Sequence, residues 1–341
     1  MFIISIKSKW YKYKRVRSIV GVEFVKKSKW RIFINIGVVI GILMVIGALS
    51  VVGYSFYLYN KVDKNEIDEK YVISNNEDIK QKEEELGISN IVLFGSDDNG
   101  LTDCIMIMTV DEKENKVKLS SIMRDTWVNI PDHGEGKINW SMTYGGPELS
   151  LKTINSNFGL ALTKYIRVNL NSLPKIIDKL GGLDFAIDES ELKYINGYID
   201  SVNKISNSNA PHIEQTGYQH FSGVQATAYC RIRYTEGNDF KRTERQRYIF
   251  KLMYNKLENL SVSELNSFLN EVLPMVETNL SYGEIVDIGQ TLVTMGKRTI
   301  VENRFPNDGD WWDEWSDQYK LRIDIEATKN KMHQFIFNED L

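Results

Sequence analysis

Two stretches of the sequence bring guanidinium groups together. The first reads Tyr229-Cys230-Arg231-Ile232-Arg233-Tyr234, then Gly237-Asn238-Asp239-Phe240-Lys241-Arg242-Thr243-Glu244-Arg245-Gln246. If 230–234 is extended, Arg231 and Arg233 share one face, because strand side chains alternate. Asp239 would cap the helix that follows. On that helix Arg242 and Gln246 stand one turn apart, with Arg245 beside them. A helix start adds free N–H groups and a positive dipole end. Several guanidiniums converging there suit a phosphate or diphosphate, whose oxygens match the fork of arginine. The plainer alternative is a solvated charged face. The second stretch is Ser121-Ile122-Met123-Arg124-Asp125-Thr126, where Arg124 follows a strand and could reach the same site. Asp125 reads as its salt-bridge partner rather than as a base. Lys137, in Gly136-Lys137-Ile138-Asn139, is a further candidate for a phosphate contact, though unremarkable taken alone.

Carboxylates mark the same ends of neighbouring strands. Gly95-Ser96-Asp97-Asp98 and Thr102-Asp103 flank a short turn between two apolar runs. Strand ends are common site positions in α/β sheets. Two carboxylates there could hold one Mg²⁺ that keeps its remaining positions for water and phosphate. Equally, Asp97, Asp98 and Asn99 could simply make a turn. The four histidines (133, 212, 220, 333) show no metal-ligand spacing, and His220 reads as structural. No nucleophile elbow, Walker loop or dinucleotide fingerprint is present. Trp311, Trp312 and Trp315 lie in an acidic run, Asp308 to Asp317, that reads as a loop. They could stack on sugar rings, but packing against the domain is the simpler expectation.

These residues need a scaffold, and the chain supplies alternating strands and helices. Strands are expected at Asn90–Phe94, Cys104–Val110, Lys116–Ile122, Tyr165–Asn169 and Asp184–Ile187, and later at Thr299–Arg304 and Leu321–Ile325. Pro147 to Phe158 reads as a helix with Pro147 in its first turn and Gly159 as its stop. Asn171 would cap a helix through Leu180. Ser222 and Gln225 make a capping box. Helices follow at about 241–260, 263–272, 282–296 and 327–337, whereas 196–216 reads as a loop. This order implies a mixed sheet covered by helices on both faces.

Composition bounds the setting. Ile32 to Tyr59 contains no charged residue. A helix needs about 20 apolar residues to cross a bilayer core of ~30 Å. Residues 1–31 carry ten Lys or Arg against one acid, which assigns them to the cytoplasm. A cleaved signal peptide is the rival, but its apolar region would be shorter. The expected organisation is a basic cytoplasmic tail (1–31), one transmembrane helix (32–59), a juxtamembrane stalk (60–88) and an extracellular domain (89–341). Gly37 and Gly41 form one GxxxG pair, a weak dimerisation signal. Beyond the tail, 32 basic residues face 45 acidic ones, which argues against nucleic acid as a partner. Cys104 and Cys230 both lie in segments that read as buried, so free thiols are favoured over a bridge.

Taken in order, the segments resemble the LytR–CpsA–Psr family over about Asn90 to Phe337. The matching pieces are Asn90-Ile91-Val92-Leu93-Phe94-Gly95-Ser96-Asp97, Thr102-Asp103, Ser121 to Asp125, Lys137-Ile138-Asn139, Tyr144-Gly145-Gly146-Pro147-Glu148, Leu180-Gly181-Gly182-Leu183-Asp184, Tyr229 to Arg233, and Asp239 to Arg242 with Arg245-Gln246. The resemblance implies an α/β/α sandwich with a central mixed sheet and a long apolar pocket for a prenyl chain. It implies Mg²⁺-dependent transfer of an anionic glycopolymer, such as teichoic acid or capsule, from an undecaprenyl pyrophosphate carrier to peptidoglycan at the cell membrane. By the same resemblance Asp97 and Asp103 hold Mg²⁺. Arg124, Arg231, Arg233 and Arg242 then clamp the pyrophosphate, with Gln246 and Lys137 assisting. Hydrolysis of the polyprenyl pyrophosphate, or lipid binding without turnover, would use the same residues. No obvious general base stands out; Asp125 and Asp239 are the candidates. Two departures from the family pattern are the Asp97-Asp98-Asn99 run, where an Arg often follows the first Asp, and the short 97–103 segment.

Overall fold

The computed structural model describes residues 56–57, 60–61, 63–73, 76–97, 100–281, 283–285 and 298–338. The expected cytoplasmic tail, most of the expected transmembrane segment, the Gly37/Gly41 pair, Asp98, Asn99 and most of the expected 282–296 helix lie outside these residues. No helix among the described residues is long and apolar enough to cross a membrane.

In chain order the chain forms β1 (Asp63–Lys64), α1 (Glu69–Ile73), α2 (Glu77–Leu86), β2 (Ile88–Ser96), β3 (Thr102–Asp111), β4 (Lys116–Ile122), β5 (Trp127–Ile130) and β6 (Gly134–Lys137). There follow α3 (Trp140–Phe158), β7 (Tyr165–Asn169), α4 (Leu173–Lys179), β8 (Leu183–Ile187), α5 (Glu189–Ser206), β9 (Gly217–Phe221), α6 (Gly223–Tyr229) and α7 (Asn238–Glu258). The last elements are α8 (Val262–Val272), β10 (Val276–Thr278), β11 (Thr299–Phe305), β12 (Trp311–Trp315), β13 (Tyr319–Ile323) and α9 (Ile325–Phe337).

Seven strands form one mixed sheet in the order β1-β10-β7-β2-β3-β4-β11. β2 pairs parallel with β7 and β4 with β11, while β2–β3 and β3–β4 are antiparallel. Strand alternation divides the apolar side chains between two faces. Val92, Phe94, Ile105 and Ile107 join a core with Leu151, Ile154 and Phe158 of α3 and Met332 and Ile336 of α9. Ile91, Met106, Met108 and Leu119 face the other way, with Leu93, Ile166, Ile300 and Phe250 of α7 packed on them. A second core joins β8, β9 and helices α4 to α7 around Phe185, Phe221, Ile195 and Ile232. The expected α/β arrangement with a central mixed sheet is therefore present.

Several local expectations are corrected. The segment expected as a stalk is folded onto the domain. Val72 is fully buried in the main core, Asn155 donates to its carbonyl oxygen at 3.1 Å, and Asn76 donates to the carbonyl of Leu160 at 2.7 Å. Its two buried apolar residues, Val72 and Ile73, are hidden in sequence among many charges. Residues 196–206, expected as the start of a loop, belong to α5 (Glu189–Ser206), because Asp188 and Glu191 close a capping box and Ile195, Ile199 and Val202 share its buried face. The three tryptophans lie on a hairpin strand rather than in a loop. Asn171 is not a cap: the helix begins at Leu173, and Asn169 accepts the N–H of Ser172 at 2.8 Å. The Pro147 helix is correct, but one turn precedes it across a kink at Gly145 and Gly146. Gly146 has φ of 64°, a conformation that favours glycine.

Truncating a buried valine removes two methyl groups and leaves a cavity. Val72→Ala should therefore lower the stability of the full chain by about 2 kcal/mol, read from its denaturant unfolding midpoint. A change under about 0.5 kcal/mol, the norm for a solvated surface position, would mean that this segment does not pack on the domain.

Candidate active site

The site begins at a break in the β2–β3 ladder. Gly95 pairs with Cys104 and Ser96 with Thr102, so Asp103 is the extra residue of a β-bulge. A bulge re-aims the side chain it carries. Gly95 suits the position opposite it, since a Cβ there would stand 3.0 Å from that of Cys104, a tight contact. Asp97 lies just past the end of β2, where its Oδ1 accepts the N–H of Leu101 at 2.9 Å. The two carboxylates thus flank the same short turn, as the sequence implies.

Arg124 follows β4 in a tight turn. The Met123 carbonyl accepts from the Thr126 N–H at 3.1 Å, and the Leu321 N–H on β13 donates to the Asp125 carbonyl at 3.2 Å. Arg124 hydrogen-bonds Asp103 through Nη1, and its Nε stands 3.4 Å from Asp125 and 3.5 Å from Asp239. Lys137, at the end of β6, pairs with Asp125 at 2.9 Å. Burial by itself would raise the Asp125 carboxyl, but Arg124 and Lys137 outweigh it and hold the group below the usual aspartate range. Burial likewise works against the Arg124 charge, and Asp125, Asp103 and Asp239 more than restore it. Asp125 is a salt-bridge partner, as expected.

The segment 230–237 is not a strand. It is a turn between α6 and α7 that belongs to neither sheet nor helix. Alternation therefore does not apply, and the two arginines part. Arg233 pairs with Asp103 at 3.2 Å and approaches Asp239 at 3.6 Å. Arg231 instead donates to Ser201 on α5 at 3.0 Å. Asp239 is not the cap either: Gly237, with φ of 88°, precedes α7, and Asp239 sits inside its first turn. From there its carboxylate holds Arg242 at 2.9 Å.

Arg242 is the most buried group of the cluster, 1% exposed. Burial brings its guanidinium down to about 10; Asp239 opposes that, and Arg124 and Arg233 add to it. Its Nε and Nη1 have no hydrogen-bond partner, and neither does the Nε of Arg124. Buried donors without partners are rare. Here they belong to side chains crowded around one point. Gln246, one turn on, donates to the Asp103 carbonyl at 3.4 Å and so braces the bulge.

Arg245 was expected beside these groups but turns inward. It pairs with Glu191 at 2.9 Å, and donates to the Ile232 carbonyl at 3.2 Å and to Thr235 Oγ1 at 2.8 Å. It pins the turn that carries Arg233. Its inward aim depends on Glu191 of α5, a helix far away in the sequence. Cys104 and Cys230 are free thiols. Burial pushes both up, Cys104 to about 12, which keeps them protonated and inert.

The donor set fits a hard cation. Mg²⁺ is commonly held by one or two carboxylates together with substrate phosphates, and Asp97 and Asp103 meet that minimum. No group of three or more metal-ligating side chains occurs among the described residues. The cluster can therefore do one thing well: hold a multiply charged anion against preset donors.

Comparison with known proteins bears on family and fold. A sequence model described as the LytR_cpsA_psr family matches residues 54–334. The polyisoprenyl-teichoic acid–peptidoglycan teichoic acid transferase TagU of Enterococcus faecalis is 27% identical over 266 residues, covering 74% of this chain and 80% of that protein. The crystal structure of Bacillus subtilis TagT superposes with a TM-score of 0.58 at 20% identity, covering 73% of this chain and 91% of that one. A TagT structure with bound octaprenyl pyrophosphate lipid gives a TM-score of 0.55 at 20% identity, covering 73% and 90%. The two structures share the fold with this chain.

Two measurements check the site's supports. Arg245→Met strands the buried Glu191 carboxylate and should cost about 3–5 kcal/mol in denaturant unfolding, whereas the double change Arg245→Met with Glu191→Met should cost far less. The lowered Asp125 group contributes stability that is complete above the ordinary aspartate value of about 3.9 and is lost as pH falls through its lower folded value. Asp125→Asn should accordingly flatten the decline in melting temperature below about pH 4; an unchanged slope would remove Asp125 from the ion-pair network.

Proposed function

This chain belongs to the LytR–CpsA–Psr family, and on that premise we propose that it transfers an anionic glycopolymer from undecaprenyl pyrophosphate to peptidoglycan. The polymer is of teichoic acid or capsule type. The chain is anchored by one N-terminal transmembrane helix, with its basic tail in the cytoplasm and its site outside. The observation that carries the reading is Arg242, a buried guanidinium with two unpartnered nitrogens, facing Arg124 and Arg233.

A pyrophosphate meets this site as a ready acceptor of hydrogen bonds. Arg242 Nε and Nη1 and Arg124 Nε donate to its oxygens, and Arg233 and Lys137 close over it. Asp103, Asp125 and Asp239 keep these cations aimed before the anion arrives, so little reorganisation is needed. Arg231 borders the site from the α5 side, and Gln246 acts through the Asp103 bulge. Asp97 and Asp103 would hold Mg²⁺, which when bound neutralises charge on the leaving phosphate. An acceptor hydroxyl of peptidoglycan attacks the phosphorus that carries the polymer. The new P–O bond forms as the bond to the lipid phosphate oxygen breaks. Undecaprenyl phosphate departs with the electron pair, and the hydroxyl proton passes to solvent or to a site carboxylate.

The lipid chain needs an apolar surface close by. The sheet face under α7 offers one: Leu93, Ile166, Phe250 and Ile300 are only partly buried there. We place the prenyl chain against that face. In the solved relative, TagT, the bound ligand is octaprenyl pyrophosphate.

The test follows a label from sugar-diphospho-undecaprenol, with the full chain in detergent, Mg²⁺ and peptidoglycan. Label should enter peptidoglycan, stop on chelation, and fall about 10²–10³-fold in Arg242→Met. Asp103→Asn should lose turnover while retaining lipid binding. Released label without incorporation would make the protein a pyrophosphate hydrolase. Tight lipid binding with no turnover would make it a binding module.

A further inference from the structure

The β12–β13 hairpin presents aromatic surface that the phosphate site does not use. Along β12, Trp311, Asp313 and Trp315 share one face. Trp311 rests on Phe240, ring centroids 4.6 Å apart, and Phe240 is the neighbour of Asp239 in the clamp. Trp315 stands directly across from Tyr319, with centroids 5.0 Å apart. The Tyr319 hydroxyl donates to Asp313 Oδ1 at 3.0 Å, and Lys137 Nζ lies 5.5 Å from the centre of the Tyr319 ring. One continuous surface therefore runs outward from the clamp: Lys137, then Tyr319, then Trp315. The far end is open, with Trp315 77% exposed. Tryptophan is among the more buried residue types on average. This corrects the expectation that the tryptophans pack against the domain, which holds for Trp311 but not for Trp312 or Trp315.

Exposed aromatic rings on such a protein can meet a lipid leaflet, the donor polymer or the acceptor glycan, and charge separates these three. Residues 308–317 contain Asp308, Asp310, Asp313, Glu314 and Asp317, of which Asp308, Asp310, Glu314 and Asp317 pair with Arg304, Lys331, Arg322 and Lys320, so these bases are taken up within the domain. Asp313 then stands beside the open rings, and a carboxylate there disfavours an anionic leaflet. It equally disfavours an anionic donor polymer at these rings. An uncharged pyranose suits them: its C–H face covers an indole, and its hydroxyls donate to a carboxylate that is already oriented. The clamp holds the donor phosphates, so a neutral ring seated one residue further out belongs to the acceptor.

We propose that Asp313, Trp315 and Tyr319 form a subsite for an uncharged sugar ring of the acceptor glycan, next to the sugar whose hydroxyl attacks. The inference rests on the transferase reading for the identity of the glycan. The subsite itself can be tested without turnover.

The experiment uses the full chain in detergent and a soluble peptidoglycan glycan oligosaccharide, freed of peptide stems. Binding is followed by tryptophan fluorescence and, separately, by calorimetry. Trp315→Ala should weaken oligosaccharide binding about tenfold, the order expected for one aromatic stacking contact, and Trp315→Phe should recover most of it. In the transfer assay the alanine change should raise KM for the acceptor by a similar factor and leave KM for the donor lipid at its wild-type value. Binding that weakens in Trp315→Ala upholds the subsite even if the wild type transfers nothing, in which case it is the transferase reading that fails. Transfer with unaltered oligosaccharide affinity in Trp315→Ala overturns the subsite and leaves that reading intact. In proteoliposomes, quenching of Trp315 by brominated lipid, read as the difference between wild type and Trp315→Ala, would put the ring in the bilayer and also overturn it.

Discussion

Arg242 carries a guanidinium where almost no water reaches it, beside two more guanidiniums that repel it. A buried cation survives only if opposite charge stands close and in the right geometry. Asp239 provides the direct partner, while Asp103 and Asp125 do the same for Arg124, Arg233 and Lys137. The pairing is incomplete, since Arg242 keeps two buried nitrogens without partners. That shortfall is what an arriving diphosphate can satisfy. The arrangement stores affinity for an anion, while the carboxylates offset the mutual repulsion of the guanidiniums.

Each part of the cluster depends on a different piece of backbone, which is why so much of the fold serves one spot. Asp103 needs the bulge in β3, and the glycine across from it suits that bulge. Arg124 needs the turn after β4, which β13 ties down through the Asp125 carbonyl. Arg233 needs the 230–237 turn, and that turn is held by the buried Arg245–Glu191 pair reaching from α7 to α5. Arg242 needs the register of α7, which buries three arginines, Arg242, Arg245 and Arg247, ahead of the apolar Ile249. The same helix rests Phe250 on the sheet, so the anion site and the apolar face share one rigid element.

Much of this was legible in the sequence, because strong periodicity and punctuation mark it. β2, β3, β4 and β7 appear where apolar runs end in turn residues, and the capping box at Ser222 and Gln225 forms as written. Arg124, Arg233, Arg242, Asp103 and Lys137 do converge. What failed has physical causes. Arg231 and Arg233 sit two apart, which reads as one strand face, but the segment is a turn whose conformation depends on Arg245, itself held by a helix far away in sequence. Helix α5 was hidden by its polar composition, with only Ile195, Ile199 and Val202 marking the buried stripe. Residues 60–88 look like a solvated linker because Val72 and Ile73 are the only buried side chains of α1, and its other ties, such as Asn155 to the Val72 carbonyl and Lys164 to Glu69, come from far along the chain. The hairpin of tryptophans gave no clear strand signal among its acids, and its place beside Lys137 is set by tertiary contact alone.

The central claim is that the unpartnered nitrogens of Arg242 and Arg124 are there to receive phosphate oxygens. The most direct measurement is nuclear magnetic resonance of the arginine Nε–H groups in the full chain, assigned with Arg→Lys variants, during titration with a short-chain polyprenyl pyrophosphate. The account predicts that the Arg242 and Arg124 signals shift together, saturate with one ligand, and become protected from exchange with water. Saturable ligand binding that leaves both signals where they were would contradict it, since the pyrophosphate would then be held somewhere other than this cluster.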